Sequence, residues 1–538
     1  MDSNRIPRDR EVSSVLGQWL DGRLSRREVL RRLGVLGLSL PLASAVLAAC
    51  SSGSSGSTNT VSTKSKFIVG IVQEPTSMDP TAAATNSISV TLRDNVFEGL
   101  IRIDQGGKII PQLARSWDVS ADGKTVTFHL VQGAKWHDGS PFTAQDVKYS
   151  WMRAADPTTK PPNPHTDYWA PVSSYDASSD SVFKVVLSAY SDNWLFHMAA
   201  GSAAIVSSKT EATNATHPVG TGPFKFVAWN QGSSLQLTRN DAYWGSPAKL
   251  KDVEFRFIAD ANAMNNALKA GDIDAIGQVG GPEQLAGFKA DQNFTVLQAQ
   301  PTGKFMISMN NSKAPLSDKR VRQAIYAVVD RQAWIDGIAS GYGKPIGSHA
   351  VPNDGEPYYV DETGVNPHDA AKAKQLLSAA GVSNLTLRFA QVNEFPYALR
   401  GSDILGSALK DVGITLKVEP MPFATWLAKV FLPTGPQDYD LTMINHAEER
   451  DIGNYGNPKY YWHYDNTQVA TWLKQADAEP DAAKRKALYA QVQKQLADDA
   501  VHAWAYSANS LAVVKHNVKG FQLYGISPSM FLGNTYFS

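Results

Sequence analysis

The chain has 538 residues, with 51 basic and 51 acidic side chains and a formal net charge of zero. A hydrophobic share of 43% and a charged share of 19% fit a soluble globular core and exclude a wholly disordered, collagen-like or coiled-coil chain. The balanced charge argues against nucleic acid as a partner, because that role usually shows a basic surplus. The single cysteine, Cys50, excludes an intrachain disulfide framework and an all-cysteine zinc site.

The N-terminus has the order of a signal peptide. Residues 1–33 hold eight arginines and five acids, and residues 34–49 carry no charge. A basic segment followed by an apolar one and then by small residues predicts an export signal over residues 1–49. The pair Arg26-Arg27 resembles the twin-arginine export signal, with a plain Sec signal as the alternative. The apolar stretch falls short of the roughly 20 residues that a membrane span needs.

The lone cysteine stands where a lipid anchor would be attached. The sequence Leu47-Ala48-Ala49-Cys50 resembles a bacterial lipobox, which implies cleavage before Cys50 and a diacylglycerol on its thiol. The following residues, 50–65, are rich in Ser, Gly and Thr and are predicted to form a flexible tether. We therefore expect a body held by lipid on the extracytoplasmic face of the cell membrane.

Strands and helices are mixed along the rest of the chain, which indicates layered α/β or α+β structure. Apolar, β-branched or alternating runs predict strands at 67–72, 125–130, 181–187, 235–238 and 253–257. Helical spacing of apolar residues predicts a helix at 318–338, with Ser317 or Asp318 as its cap. Further helices are predicted at 369–380, with a glycine stop at Gly381, and at 481–500.

Two polar motifs are interpreted as structural. His137 and Asp138 are adjacent, so on extended chain their side chains point apart, and Asp138-Gly139 is a turn signal. Asp146 belongs to a capped helix start. The stretch 220–224 lacks the ending of a phosphate-binding loop, and its glycines instead predict a close approach of two backbones.

Several motifs, in a fixed order, resemble one family from about residue 66 to the C-terminus. The resemblance is to the family-5 extracellular solute-binding proteins of ABC transporters, which bind oligopeptides, dipeptides or nickel. The matching stretches are Asn95–Leu100, Pro111–Trp117, Asp122–Lys124, Lys135–Val147, Gly220–Phe224, Asn240–Trp244, Ala270–Asp274 and Val321–Ile325.

The resemblance implies an α/β, two-lobed, periplasmic-binding-protein-like fold of type II, with an extra subdomain in one lobe. Two crossing strands would join the lobes, so that hinge closure encloses the ligand. The implied boundaries are 66–106 with 215–303 and 506–538 for the hinge-bearing lobe, 107–214 for the extra subdomain, and 304–505 for the second lobe.

The richest mixture of acids and aromatics lies at 445–464. In the family, an aspartate followed by an aromatic and a proline binds the ligand's amino group, and this chain lacks a clean version of that motif. Asp451 is the first choice for this role and Glu448 the second. Tyr455 and Tyr461 would provide apolar walls. The alternative is a solvated loop with packed tyrosines.

Further ligand contacts are expected from position in the family. Glu74 follows the first strand, Asn310 follows the probable crossing into the second lobe, and Trp426 resembles the family's aromatic residue beside the ligand. Core packing is the alternative for each of them. For Glu98, a buried structural pairing is equally expected.

The resemblance implies a lipid-anchored binding subunit that captures short peptides and delivers them to an ABC permease, whose ATPase is on other chains. No cofactor, metal or nucleic acid is expected, and the subunit would be a monomer that does no covalent chemistry. Two alternatives stay open. The same fold could bind a metal chelate or an oligosaccharide, or the chain could be a surface hydrolase, although it shows no recognisable nucleophile motif.

Overall fold

The structure is a computed structural model in which part of the chain is described. The predicted export signal with Arg26 and Arg27, the lipidation residue Cys50 and most of the tether lie outside the described residues. Within them, no helix combines the length and the apolar character that a membrane crossing requires. The described residues are 65–82, 86–159, 163, 165–199, 201–353, 356–446, 450–523 and 529–538.

The strands include all five that the sequence predicts, with ends that differ by at most one residue. They are β1 Lys66–Ile71, β2 Ile101–Ile103, β3 Ile109–Pro111, β4 Ala114–Val119, β5 Thr125–Leu130, β6 Val172–Ser179, β7 Val182–Leu187, β8 Phe224–Asn230, β9 Ser234–Arg239, β10 Asp252–Phe257, β11 Ala275–Ile276, β12 Phe294–Met309, β13 Gly343–Pro345, β14 Leu385–Val392, β15 Ile414–Met421, β16 Leu441–His446, β17 His502–Lys515, β18 Val518–Lys519 and β19 Tyr536–Phe537.

The helices lie between these strands and at their ends. They are α1 Asn86–Leu92, α2 Ala144–Ala155, α3 Trp194–Met198, α4 Ala261–Ala270, α5 Leu285–Ala290, α6 Lys319–Ala327, α7 Arg331–Ala339, α8 Ala370–Ala379, α9 Pro396–Lys410, α10 Phe423–Trp426, α11 Thr467–Ala478 and α12 Ala482–Asp498.

The helix predicted over 318–338 is wrong as a single element, because the structure has two helices there. The first helix, α6, stops at Ala327 and α7 starts at Arg331. The Asp330 carboxylate accepts hydrogen bonds from the backbone N–H groups of Gln332 and Ala333, so it caps a new helix. The apolar period continues through the break and therefore hides it.

The largest sheet of the described residues has eleven strands. Its strand order is β15-β14-β16-β12-β17-β11-β1-β10-β9-β8, and β13 also pairs with β17. The antiparallel strands β12 and β17 pair from Phe294 opposite Lys515 to Ser308 opposite His502. Their register shifts near Pro301 and again at Phe305, and such irregularities bend and twist a strand pair. These two strands lie in the middle of the sheet, so that β12 pairs with β16 on one side and β17 pairs with β11 on the other.

The buried apolar side chains form separate cores on the two sides of this strand pair. One side, which we call the first lobe, is packed from residues 67–97, 204–297 and 511–537. Residues 100–205 form a further core over the sheet β4-β5-β7-β6, which we call the subdomain. Residues 305–506 form the largest core, which we call the second lobe.

Three of the family-like motifs meet at the buried carboxyl group of Glu98. This side chain is 1% exposed. It accepts hydrogen bonds from the Thr221 hydroxyl at 2.8 Å, the Tyr243 hydroxyl at 2.7 Å and the Trp244 indole N–H at 2.9 Å. Glu98 therefore has the structural pairing that was one of its two expected roles.

The glycine stretch near residue 220 passes directly over another backbone. A Cβ atom at Gly220 would lie 1.8 Å from the Val96 carbonyl oxygen, and one at Gly222 would lie 2.5 Å from that of Asn95. His137 stabilises this close approach with two hydrogen bonds to the glycine stretch. Its Nδ1 accepts from the Gly220 N–H, and its Nε2 donates to the Gly222 carbonyl. Both motifs thus have the structural roles that the sequence predicts.

The buried Glu98 predicts a pH dependence of stability. Burial raises the pKa of Glu98 to about 7, so the folded state holds this proton more tightly than the unfolded state does. The stabilisation is complete at pH values below the unfolded pKa near 4.5 and is lost as the pH rises toward 7. We expect this group to lower the free energy of unfolding by about 3 kcal/mol between pH 4.5 and 8.

Urea unfolding of wild type and Glu98→Gln at several pH values measures this contribution. The variant should be less stable overall, because the amide nitrogen that replaces one carboxyl oxygen cannot accept a hydrogen bond. Its free energy of unfolding should also depend less on pH. Glu419→Gln, on a partly exposed side chain, is the control and should keep the wild-type slope. Parallel profiles for wild type and Glu98→Gln would contradict the assignment.

Candidate functional site

The subdomain touches the second lobe through a short polar loop before α3. Asp477, near the end of α11, accepts hydrogen bonds at its Oδ1 from the Ser191 hydroxyl at 3.0 Å and from the backbone and side-chain N–H groups of Asn193 at 3.3 Å. Asn193 also donates to the Tyr489 hydroxyl at 3.0 Å. Burial raises the pKa of Asp477, and the nearby Asp192 carboxylate adds to this effect.

An ion pair continues the same contact. The Arg485 Nη2 lies 3.0 Å from the Asp192 Oδ1, and both side chains are little exposed. The Tyr358 hydroxyl donates to the Asp192 Oδ2 and accepts from the Arg485 Nε at 2.8 Å. We call this set of interlobe contacts the clasp. Its members are Ser191, Asp192 and Asn193 of the subdomain and Tyr358, Asp477, Arg485 and Tyr489 of the second lobe.

A small cavity lies beside the clasp and is lined from both sides. Its free volume is about 10 Å³, which leaves room for about one water molecule. The cavity is lined by Asn193, His349, Ala350, Glu356, Tyr358, Arg450, Ile452, Tyr489 and Gln493.

Arg450 spans the gap between the lobes. Its backbone has a positive φ of 54°, and its guanidinium carbon lies 3.9 Å from the centre of the Phe196 ring in the subdomain. The same carbon is 5.8 Å from the centre of the Tyr358 ring in the second lobe. A cation between two aromatic faces is stabilised when the lobes are together.

Two buried polar atoms of the cavity residues lack a hydrogen-bond partner among the described residues. One is the Arg450 Nε, a donor on the second lobe, and the other is the Asn193 Oδ1, an acceptor on the subdomain. Leaving such atoms unpaired in a buried place costs roughly 1–3 kcal/mol each. These two residues, one from each side of the cavity, are therefore the candidates to bind a polar ligand.

Glu356 adds an ionisable carboxyl group to the same cavity. Burial raises the pKa of this carboxyl group, while the neighbouring Arg450 favours its charged form. Its Oε1 accepts from the Tyr358 backbone N–H at 3.2 Å. The sequence analysis missed Glu356 and Arg450 as site residues, because Glu356 stands in an ordinary turn-like stretch and Arg450 is a single cation beside the acids that drew attention.

Asp451, the first choice for ammonium binding, lies at the centre of a buried ionic cluster. Its Oδ1 is 2.7 Å from the Lys304 Nζ and 3.0 Å from the His349 Nε2, and its Oδ2 is 3.4 Å from the His446 Nδ1. Although burial opposes the charge, Lys304 and His349 hold the pKa of Asp451 well below its usual range. The carboxylate thus already has a cationic partner on β12.

The predicted aromatic residues surround this cluster. Tyr461 is fully buried, and its hydroxyl lies 2.7 Å from the His446 Nε2. The buried Tyr455 stacks on Trp462, with ring centres 4.6 Å apart. Trp426 meets Tyr461 edge to face at 6.0 Å. The structure therefore brings Asp451, Tyr455, Tyr461 and Trp426 together inside the second lobe.

The other predicted contacts lie elsewhere. The Glu74 carboxylate accepts from the Trp229 indole N–H at 2.8 Å and from the Gly232 backbone, which places it in the first lobe. Asn310 donates to the Gln437 carbonyl at 3.2 Å just after β12. Neither residue lines the cavity beside the clasp. Glu448 lies outside the described residues.

Histidine and carboxylate side chains that lie close together can also bind a metal ion. Among the residues that the structure describes, no group of three or more His, Cys, Asp and Glu side chains is arranged to hold a metal ion. The cluster around Asp451 is accordingly described as a set of ion pairs and hydrogen bonds.

Comparison with known proteins gives consistent matches over most of the chain. The profile of the bacterial extracellular solute-binding proteins, family 5 Middle, matches residues 108–467. The glutathione-binding protein GsiB of Pectobacterium atrosepticum is 27% identical over 86% of this chain and 92% of its own length. The oligopeptide-binding protein OppA of Bacillus subtilis is 26% identical over 91% of this chain and 97% of its own length.

A solved structure supports the same assignment. The binding protein AgaA of A. tumefaciens R10, in complex with agropinic acid, is 28% identical, covers 88% of this chain and 99% of its own length, and has a TM-score of 0.77. The profile covers more than half of the chain, and the described sheet has the two-lobed arrangement that the motifs implied. The chain belongs to family 5 of the bacterial extracellular solute-binding proteins and has their type II periplasmic-binding fold.

Proposed function

We propose that this chain is the binding subunit of an ABC importer and captures short peptides between its lobes. The observation that carries the proposal is the pair of unused polar atoms in the cavity, the donor Arg450 Nε and the acceptor Asn193 Oδ1. A peptide group supplies one carbonyl acceptor and one N–H donor. A bound peptide would thus satisfy both atoms and link the two lobes.

The charges at the cavity also suit a peptide with free termini. Arg450 can pair with a carboxylate, and an acid can pair with an ammonium group. We propose Asp451 and Glu356 as the two candidates for the ammonium partner, with Glu448 as a third. Relatives named for glutathione and for oligopeptides support this ligand class.

The remaining predicted ligand contacts fall into two groups, according to where they lie in the structure. Trp426, Tyr455 and Tyr461 would act as the rigid aromatic support behind Asp451, since they are buried around its partners. Glu74 and Asn310 are held by other bonds, and their contact with a ligand stays a prediction.

Closure would depend on the paired strands β12 and β17. We propose that the first and second lobes meet near residues 303–304 and 505–506, as the motifs implied. The register shifts around Gly303 and Phe305 support this placement, because bending is easiest where the ladder is interrupted. The closed subunit would then dock as a monomer on a permease driven by a separate ATPase.

Selective loss of affinity tests the ammonium partner. We expect Glu356→Gln to weaken binding of a library of tripeptides about tenfold or more, because a charged hydrogen bond is lost. Binding of the same library with acetylated N-termini should not differ between wild type and variant. Isothermal titration calorimetry measures both, with Glu419→Gln as the matched control.

Asp451→Asn is measured beside it with both libraries. A selective loss for Asp451→Asn but not for Glu356→Gln would assign the ammonium to Asp451. An equal loss on free and acetylated libraries for both variants would contradict recognition of the ammonium group by either acid.

The lipid anchor is a separate proposal. We propose that Cys50 is lipidated after export directed by Arg26 and Arg27, on the basis of the Leu47–Cys50 motif. Cys50→Ser should move the protein from the membrane fraction to the soluble extracytoplasmic fraction, since no other thiol is present to take the lipid. Ser51→Ala is the control and should stay with the membrane.

Export by the twin-arginine route is tested in the same cells. Replacing both Arg26 and Arg27 by lysine should abolish export if the pair is read as a twin-arginine signal. Unchanged export would assign the leader to the Sec route, and a Cys50→Ser protein that stays in the membrane would contradict the lipid anchor.

A further inference from the structure

The clasp joins the lobes partly through residues that do not line the cavity. Ser191, Asp192, Asp477 and Arg485 all lie outside the cavity lining. Every side-chain hydrogen bond that the structure gives Asp477 goes to the subdomain, although Asp477 belongs to α11 of the second lobe. The Asp477 backbone carbonyl also accepts from the Asp192 N–H at 3.0 Å. These contacts can form only when the lobes are together.

The clasp is shielded from water, which raises its contribution to closure. The Asp192 and Arg485 side chains are 12% and 11% exposed. A second ion pair between the lobes, Arg400 with Glu283, is 3.4 Å long and 43% exposed on each side. Exposed pairs of this kind contribute little, whereas charged hydrogen bonds in a shielded place contribute more. The Asp192–Arg485 pair therefore contributes more to closure than the Arg400–Glu283 pair does.

We infer that the clasp holds the protein closed before any ligand is bound. A binding protein has a higher apparent affinity when its binding-competent state is already populated. The apparent dissociation constant is the intrinsic one divided by the fraction of molecules in that state. The clasp would thus set the affinity for all ligands by one common factor. This inference rests on the two-lobed fold and does not depend on which solute is bound.

The clasp also adds to the free energy that is needed to open the lobes and release the ligand. Opening must break the bonds of Asp477 and the Asp192–Arg485 pair together, because both connect the same loop to the second lobe. A partner that opens the lobes must therefore supply this free energy as well as that of the ligand contacts.

Small-angle X-ray scattering of the ligand-free protein tests the inference. The full chain carrying Cys50→Ser is stripped of ligand by partial unfolding and dialysis. The matched variants are Asp477→Ala, near the end of α11, and Asp498→Ala, at the end of α12. Among the described residues, the Asp498 side chain pairs with Lys494 of its own lobe. We expect a larger radius of gyration for Asp477→Ala and an unchanged one for Asp498→Ala.

Ser191→Ala is the milder variant, since it removes one of the three side-chain bonds to Asp477. Its radius should lie between those of wild type and Asp477→Ala, and all variants should unfold cooperatively. A wild-type radius that already equals that of Asp477→Ala would overturn the inference. This readout uses no peptide, so its failure is distinguishable from failure of the proposed ligand class.

Affinity for one probe, the tripeptide library, gives the second arm. Asp477→Ala should weaken binding about tenfold, equally for free and acetylated peptides, because Asp477 itself does not line the cavity. A loss confined to one library would overturn the inference and make Asp477 a ligand contact.

Discussion

The antiparallel pairing of β12 with β17 places both lobes on one sheet. Because these two strands run through both cores, each lobe can pack as a stiff body while the strands bend between them. The register shifts along β12 interrupt the ladder between the two cores. The cavity and the clasp both lie where the subdomain meets the second lobe.

An ion pair links the hinge strands to the cavity. Lys304 lies on β12, between the two irregular parts of its pairing with β17, and its ammonium binds the Asp451 carboxylate. Asp451 directly follows Arg450, whose guanidinium reaches the subdomain. Charge buried in a low-dielectric place is stable only when paired, so Asp451 keeps this geometry fixed. The position of the Arg450 guanidinium therefore depends on the ion pair between Asp451 and Lys304 of β12.

Local pattern predicted the fold better than the site. The strand at 125–130 is predicted correctly because its alternating pattern matches burial on one face, and the helices predicted from Asp369 and Asp481 begin directly after those residues. The break at Asp330 was missed because apolar spacing continues through it. The clasp could not be predicted, since Ser191 and Asp477 are ordinary polar residues 286 positions apart. Their meeting is a product of tertiary packing and leaves no local signal.

The central claim, that the cleft takes short peptides, is tested most directly by native mass spectrometry of the protein purified with its endogenous ligand. The account predicts bound masses that correspond to a mixed set of short peptides, released together when the lobes are opened by mild denaturation. A single bound sugar derivative or metal chelate in place of that mixture would contradict it.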